Sequence, residues 1–451
     1  MNLSHLHSKD PRVRQNEVER YYFESPDDNT LMELISLLED SDKGTRNSLL
    51  IILTSIENPK VAEYVVKYVS SNDILVRNLA GEILLKNGEK SVSALTNYLD
   101  SSSNDDKKFC IDLLGLIGSK ISAGKIIEIL NSSSDKNVIL ACIEALGNIA
   151  SEEAVDHLKK FLLTDKLYKP TVIEAFGKIG TKNIEEFLVS IYVHEDDLTK
   201  YAIVECLGLI GTGDVLSFLL SELQTADSFM LGPLIGSIYY VKERSGINVL
   251  IDNNTANKII FNIDEIELKY LNAVLNIVQN TSQIELLEIY VKIFGSNYEL
   301  DEMIKPQLLN NLEKFIDYLP EYVEKNPKNI FELLTFLKEI MFLFNNKIKA
   351  LRNTNQYSVL KELIKKLLVN KNEEYRSVAC DLIFNLDTDY AVEVAEIILN
   401  DQSIWNRINL LENLSTIKKE KSHKLLLKLA KDCEEMVRER ADFILGQQVV
   451  N

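Results

Sequence analysis

The residue types that could do chemistry are few and scattered in this chain of 451 residues. Its five cysteines, Cys110, Cys142, Cys206, Cys380 and Cys433, lie far apart and form no Cys-x-x-Cys pair. That pattern points to a reducing compartment, and against a disulfide framework. Cys110 and Cys142 fall where a small residue, Ala80, stands in a similar segment, so both are expected in the core. His157, His194 and His423 have no companion at ligand spacing, and His5-Leu6-His7 alone is too short for a metal site. The chain has no phosphate-cradling loop, dinucleotide fingerprint, nucleophile elbow or His-Glu-x-x-His helix. The expectation is therefore no catalytic residue, no metal and no cofactor.

The carboxylates behave differently, because they recur. The segments Leu114-Gly115-Leu116-Ile117-Gly118, Leu146-Gly147-Asn148-Ile149-Ala150, Phe176-Gly177-Lys178-Ile179-Gly180 and Leu207-Gly208-Leu209-Ile210-Gly211 return every 30 to 32 residues. A basic residue stands eleven positions before the end of each such segment: Arg14, Arg46, Arg77, Lys107, Lys169 and Lys200, then Arg376, Arg407 and Arg438 at a spacing of 31, with Ile139 and Leu231 as exceptions. Five positions after this basic slot come Glu82, Asp112, Glu144, Glu174 and Glu205 in consecutive repeats. A carboxylate ladder of that kind suits a basic segment of another protein. Glu82–Lys86 and Glu174–Lys178 are also ordinary pairs one helical turn apart, so the column reads equally as a solvated helix face.

Four residues before the basic slot runs a second column: Asp10, Asp42, Asp73, Asp135, Asp165, Asp196 and Asp227, with Ser103 in one repeat. Asp here reads as a helix N-cap that accepts from the orphan amides of the first turn, and the basic side chain one turn later is expected to reach the Asp of its own or a neighbouring repeat. Downstream the column reads Asn372, Ser403 and Glu434.

The elements that must position these columns are helices. The chain is 46% hydrophobic and 26% charged with only 17 Gly and 8 Pro, too few chain-reversal residues for a turn-rich β fold. Between the helices that begin at the Asp column lie other amphipathic stretches, such as Ala154-Val155-Asp156-His157-Leu158-Lys159-Lys160-Phe161-Leu162-Leu163, so each unit is helix, turn, helix. The Asp-x-x-x-Arg/Lys start, the Leu-Gly-x-Ile-Gly end and the period near 31 resemble HEAT repeats, particularly the short form of phycobilisome-lyase-like proteins. The resemblance implies an all-α solenoid of about fourteen helix pairs that acts as a protein-interaction scaffold, with the second helix of each pair lining the inner face.

The organisation expected is an N-terminal array over 1–250, a divergent helical segment with longer helices over 251–355, and C-terminal repeats over 356–451, all one continuous solenoid. In the divergent segment, apolar periodicity predicts helices over 263–278, 284–294 and 329–352. The last carries a stripe of Ile330, Leu333, Leu334, Leu337, Ile340, Met341, Phe344 and Ile348, widened by Phe336, Phe342 and Leu343, which reads as a buried helix or as an apolar docking surface. Trp405, two residues before the basic slot Arg407 at a helix start, is expected partly buried between repeats, with a binding anchor as the alternative, and the run from Lys418 to Lys424 is expected to be a solvated turn.

Charge bounds the partners. The formal net charge is −18, and from Lys347 onward 17 basic residues face 16 acidic ones, so the acidity lies upstream. Phosphate backbones would be repelled, which disfavours nucleic acid. The start lacks an apolar export signal, and the longest uncharged apolar stretch, 229–241, is interrupted by Gly232, Pro233 and Gly236, so no membrane span is expected and the cytoplasm is the expected location. The reading is a non-enzymatic scaffold, monomeric or weakly oligomeric, for a protein partner such as a signalling protein or a basic segment. The alternative from another class is an enzyme or enzyme accessory of the bilin-lyase or HEAT-like DNA glycosylase type. The glycosylase would need Lys and Arg where this chain puts Glu and Asp.

Overall fold

A computed structural model describes residues 5–22, 25–100, 102–279, 283–344 and 350–450, with the side chains of 283–285 and 448–450 outside that description. Among the described residues every regular element is helical. The chain divides into two units, one of residues up to 225 with 233–248, the other of 226–232 with 249 onward.

The first unit is built from helix pairs. The second helices of successive pairs, Lys43–Ser55, Ile74–Asn87, Asn104–Ile117, Lys136–Asn148, Lys169–Ile179 and Asp197–Ile210, each pack on the next, and Pro11–Arg20 packs on the first of them. The first helices, among them Lys60–Val65, Val92–Tyr98, Ala123–Ser132 and Val155–Thr164, lie against their own second helices.

Local chemistry fixes where these helices begin. Asp42 accepts from the Thr45 amide, Asp73 from Leu75, Asp135 from Asn137 and Val138, and Asp196 from Thr199, each at the helix N-cap; Ser103 does the same for Asp106. Asp165 departs from the column. Its helix starts only at Lys169, with Tyr168 at the cap and Pro170 in the first turn, so the Asp165 carboxylate instead accepts from Leu167 in the preceding turn. Several of these helices end on glycine for a conformational reason: Gly118 and Gly180 take φ of 74° and 72°, the left-handed region that closes a helix without a Cβ penalty.

Stacking then buries one apolar residue per repeat at the same place. Leu84, Leu114, Leu146, Phe176 and Leu207 are all fully buried, and Cys110, Cys142 and Cys206 fill the small slots beside them. Burial pushes these three thiols up to about 12, so at neutral pH they are packing groups and not thiolates. Cys433 is different, being exposed in the turn before Glu435–Val450.

In the second unit the helices of the divergent segment are not longer than those of the repeats. Leu268–Ile277 has 10 residues, Gln283–Ile293 has 11 and Ile330–Leu343 has 14, the last equal to Ile74–Asn87. The apolar periodicity from 263 continues through a short 3₁₀ turn, Ile263–Glu265, and a fresh helix start after Glu267, so the pattern spans two elements. The stripe on Ile330–Leu343 is core. Ile330, Leu333, Leu334, Leu337, Ile340 and Met341 are buried, and the helix packs on Glu373–Leu386. Phe336 packs between Phe294 and Phe315 with its ring tilted to both, the centroids 5.1 and 6.5 Å away. Phe342, Leu343 and Phe344 are exposed at its end, and Ile348 lies outside the described residues.

A half-buried carboxylate makes the second unit acid-sensitive. Burial alone would raise the Asp387 pKa, but the Tyr357 hydroxyl, the Tyr390 amide and Lys361, 3.3 Å away, outweigh it and hold the group down at about 2. A folded value below the unfolded one contributes stability that is complete above the unfolded pKa and disappears as pH falls through the folded pKa. Lowering the pH from about 4 to about 2 is therefore expected to cost about 2 kcal/mol through this group. Urea titrations at a series of pH values should show a smaller loss in Asp387→Asn over that window. An equal loss in the variant would assign the acid sensitivity elsewhere.

Candidate functional site

The acidic column stands on the second helices of the first unit, one residue per helix. Glu82, Glu144, Glu174 and Glu205 are exposed and Asp112 is half-buried. Their regular spacing comes from the residues beside them. An ideal Cβ on Gly115 would meet Ala145 Cα at 2.8 Å, and one on Gly147 would meet Ala175 Cα at 2.8 Å, so only glycine lets these helix backbones approach so closely. Three of the five acids are already paired along their own helix: Glu82 with Lys86 at 2.8 Å, Asp112 with Lys108 at 2.7 Å and Glu174 with Lys178 at 2.7 Å. Glu144 has no ion pair among the described residues, while Glu205 has an interaction partner. The column thus holds three lysine-paired carboxylates, and Glu144 alone of the five has no ion pair or other recorded partner among the described residues, so its net field is smaller than five free acids would give.

The basic column does not pair with the Asp column as the sequence reading has it. Each helical side chain leans toward its own N-terminus, which carries an Arg past the cap residue and onto the turn before it. Arg14, Arg376 and Arg438 donate to the carbonyls of Ser8, Asn370 and Asp432, each six residues upstream, and Arg46 and Arg407 reach Asp40 O and Asp401 O in the same way. The ionic partner is an acid in the next repeat: Asp40 for Arg14, Glu195 for Lys169, Asp401 for Arg376 at 2.7 Å and Asp432 for Arg407 at 2.9 Å. Asp40 and Asp401 are held below the usual carboxylate range because these arginines and a backbone amide outweigh the cost of burial. Lys200 lies over the Tyr192 ring instead, 5.5 Å from its centroid. Arg77 forms no ion pair among the described residues, and its Nε is buried without a partner.

Sequence reading missed the acids at 40, 195, 401 and 432. The signal was present, since three of them precede the cap position by two residues and Asp401 and Asp432 recur at the spacing of the basic slot. It also missed that Trp405 and Met436, and in the first unit Leu75, Leu167 and Leu198, are exposed two residues before the basic slot. Trp405 is 67% exposed and not wedged between repeats, because the slot it occupies points off the helix start. Lys421 of the basic run lies in the helix Lys419–Leu429 and pairs with Asp389. No cluster of three potential metal ligands occurs among the described residues, and none of their helices is long and apolar enough to cross a membrane.

With these stacked helix pairs in view, comparison with known proteins is specific at the level of the repeat. The family model of HEAT repeats matches residues 92–169, which cover the pairs carrying Asp112 and Glu144. Residues 92–169 thus carry HEAT repeats, and the described residues on either side of them are all-α stacked helices. Similar solved structures include importin beta in a polyethylene glycol condition, 11% identical over 99% of this chain and 76% of that one, with a TM-score of 0.48. They also include the complex of CpcE and CpcF of phycocyanin lyase from Nostoc sp. PCC7120, 17% identical over 54% of this chain and 98% of that one, with a TM-score of 0.28. No curated protein matches the chain in sequence.

Proposed function

We propose that the protein is a non-enzymatic interaction scaffold whose first unit holds a basic, extended segment of a partner protein along Glu82, Asp112, Glu144, Glu174 and Glu205. The observation that carries this reading is one carboxylate per repeat on helices set side by side by glycine contacts. Adjacent helices lie about 8 to 10 Å apart. An extended chain advances about 3.3 Å per residue, so a partner with Lys or Arg at roughly every third position would match the column. The lysines that mask Glu82, Asp112 and Glu174 are point charges on long stems, 51%, 48% and 38% exposed, and an incoming guanidinium can displace them because it offers two parallel hydrogen bonds.

The enzymatic alternative has less support. A lyase-type role needs a reactive thiol; Cys110, Cys142, Cys206 and Cys380 are buried with their thiols pushed up by desolvation, and the one exposed thiol, Cys433, donates to the Asp432 carboxylate at 3.6 Å, a negative neighbour that does not favour a thiolate. The acidity of the upstream residues is also the wrong field for DNA.

Binding of a labelled oligoarginine peptide, followed by fluorescence anisotropy, tests the scaffold reading. Reversing Glu82, Asp112 and Glu144 together to Lys should leave the helical circular dichroism intact and weaken binding by about tenfold or more, with most of the salt dependence lost. Lys160→Glu, on the exposed face of a first helix, is the control and should change little. Lys159 is unsuitable as a control because it bonds Asn183 at 2.5 Å and lies over Phe187. Affinity unchanged by the triple reversal, or lost equally through Lys160→Glu, would remove the acidic column from the reading.

A further inference from the structure

Two residues before several of the cap positions, a slot recurs whose side chain folds back onto the backbone. Asp40 Oδ1 accepts from the Asp42 amide at 2.8 Å, Asp401 Oδ1 from Ser403 at 2.8 Å and Asp432 Oδ1 from Glu434 at 2.9 Å. In all three the second carboxylate oxygen receives the arginine of the preceding repeat: Arg14, Arg376 and Arg407. Each such Asp therefore joins two repeats. Ser71 and Ser133 occupy the same slot, with Oγ accepting from the Asp73 and Asp135 amides at 3.2 Å each. A hydroxyl fills the first role and leaves the second unfilled. The basic residues at the matching distance upstream are Arg46 and Lys107, 25 and 26 positions before their serines, as Arg376 and Arg14 are before Asp401 and Asp40. Among the described residues neither Arg46 nor Lys107 forms an ion pair.

The geometry at Ser133 is the more complete of the two. Lys107 and Ser133 line one cleft of about 290 Å³, together with Lys125, Asp100, Glu128 and Asp135. The other charges of that cleft are committed: Lys125 holds Asp100 at 2.7 Å and Glu128 at 3.0 Å, and Asp135 caps Asn137 and Val138. Lys107 is the cation left over. Arg407 and Asp432 line the equivalent cleft of about 480 Å³ in the second unit, where the bridge is closed.

We propose that Ser133, and by the same register Ser71, are phosphorylation sites at which a serine kinase supplies the missing anion between repeats. In the transfer, Ser133 Oγ attacks the γ-phosphorus of ATP as the bond to the β,γ-bridging oxygen breaks. ADP leaves, and the hydroxyl proton passes to a base of the kinase. The phosphoserine carries close to two negative charges and three acceptor oxygens, enough to keep the Asp135 amide and to take Lys107 as well. Phosphate at Ser133 would then tie Asn104–Ile117 to the turn before Lys136–Asn148 as Asp432 ties its two repeats, stiffening the stretch that carries Asp112 and Glu144.

The full chain with phosphoserine installed at position 133 during translation tests this. Its thermal midpoint is expected to rise by about 2 to 4 °C. Lys107→Gln should abolish the rise, whereas Lys108→Gln, whose lysine belongs to Asp112, should leave it intact. Ser133→Asp should reproduce part of the gain with the same dependence on Lys107, which keeps the test decisive if the phosphorylated chain folds poorly. Phosphopeptide mapping of the protein from its own cells should find phosphate on Ser133 or Ser71. A midpoint that does not rise in either variant, a rise that survives Lys107→Gln, or full peptide coverage with both serines unmodified would overturn the proposal.

Discussion

Arg407→Ala is expected to destabilise the second unit by about 3 to 5 kcal/mol, the range for removing one partner of a buried ion pair. Arg407 is 6% exposed, and its guanidinium binds the Asp432 carboxylate while donating to the Asp401 carbonyl. Truncation leaves a buried carboxylate without its counter-charge and a carbonyl without its donor, and the cost of those two orphans exceeds the worth of the contacts themselves. Asp432→Ala should cost a similar amount. The double variant should cost well under the sum, because removing both charges removes the orphan, and a coupling above about 1 kcal/mol is the signature to look for in urea unfolding. The same substitution at Arg77, which has no acid opposite it, should be much milder. If Arg407→Ala costs less than about 1 kcal/mol, the inter-repeat bridge is not a principal support of this unit.

The contrast between Arg407 and Arg77 also marks how far sequence alone carries. Helix starts were legible because an N-cap is a local device: Asp42, Asp73, Asp135 and Asp196 bond amides two or three residues away, and such bonds can be read from spacing. The segment ends at Gly118 and Gly180 were legible in the recurring Leu-Gly-x-Ile-Gly pattern, although their left-handed conformation was not read from it. The ionic partners were misread because they belong to the next repeat, 25 or 26 residues on, and are chosen by the direction in which an arginine leans off its helix. Asp165 failed as a cap for a local reason that was in view, since Pro170 favours a helix start at the residues beside it and not four residues earlier. At the acidic column the face was legible and its state was not. Periodicity places Asp112 and Glu174 on the same side of their respective helices, but whether Lys108 and Lys178 reach them is decided by rotamers that the sequence does not display.

The second large effect concerns the spacing of that column. Gly147→Val is expected to destabilise the first unit by about 3 kcal/mol, the upper part of the range for overpacking a close contact. Its first added carbon would stand 2.8 Å from both Cα and Cβ of Ala175, atoms of a neighbouring helix that cannot rotate away as the end of a long side chain can. Helix propensity works the other way, because replacing a mid-helix glycine recovers up to about 1 kcal/mol of backbone entropy. Gly124→Ala isolates that opposing contribution: Gly124 lies in Ala123–Ser132 with nothing within 4 Å of an added Cβ, so the change should stabilise by about 0.5 kcal/mol. Opposite signs at the two glycines would show that backbone approach, not propensity, sets the tolerance. The spacing argument reaches function through Glu144 and Glu174, which stand on the two helices that Gly147→Val forces apart. Under conditions where the variant remains folded, the oligoarginine peptide should bind it less tightly even though every carboxylate is still present. Unchanged affinity together with lost stability would separate the two, leaving glycine contact as a matter of packing and the carboxylates free of any register with a partner.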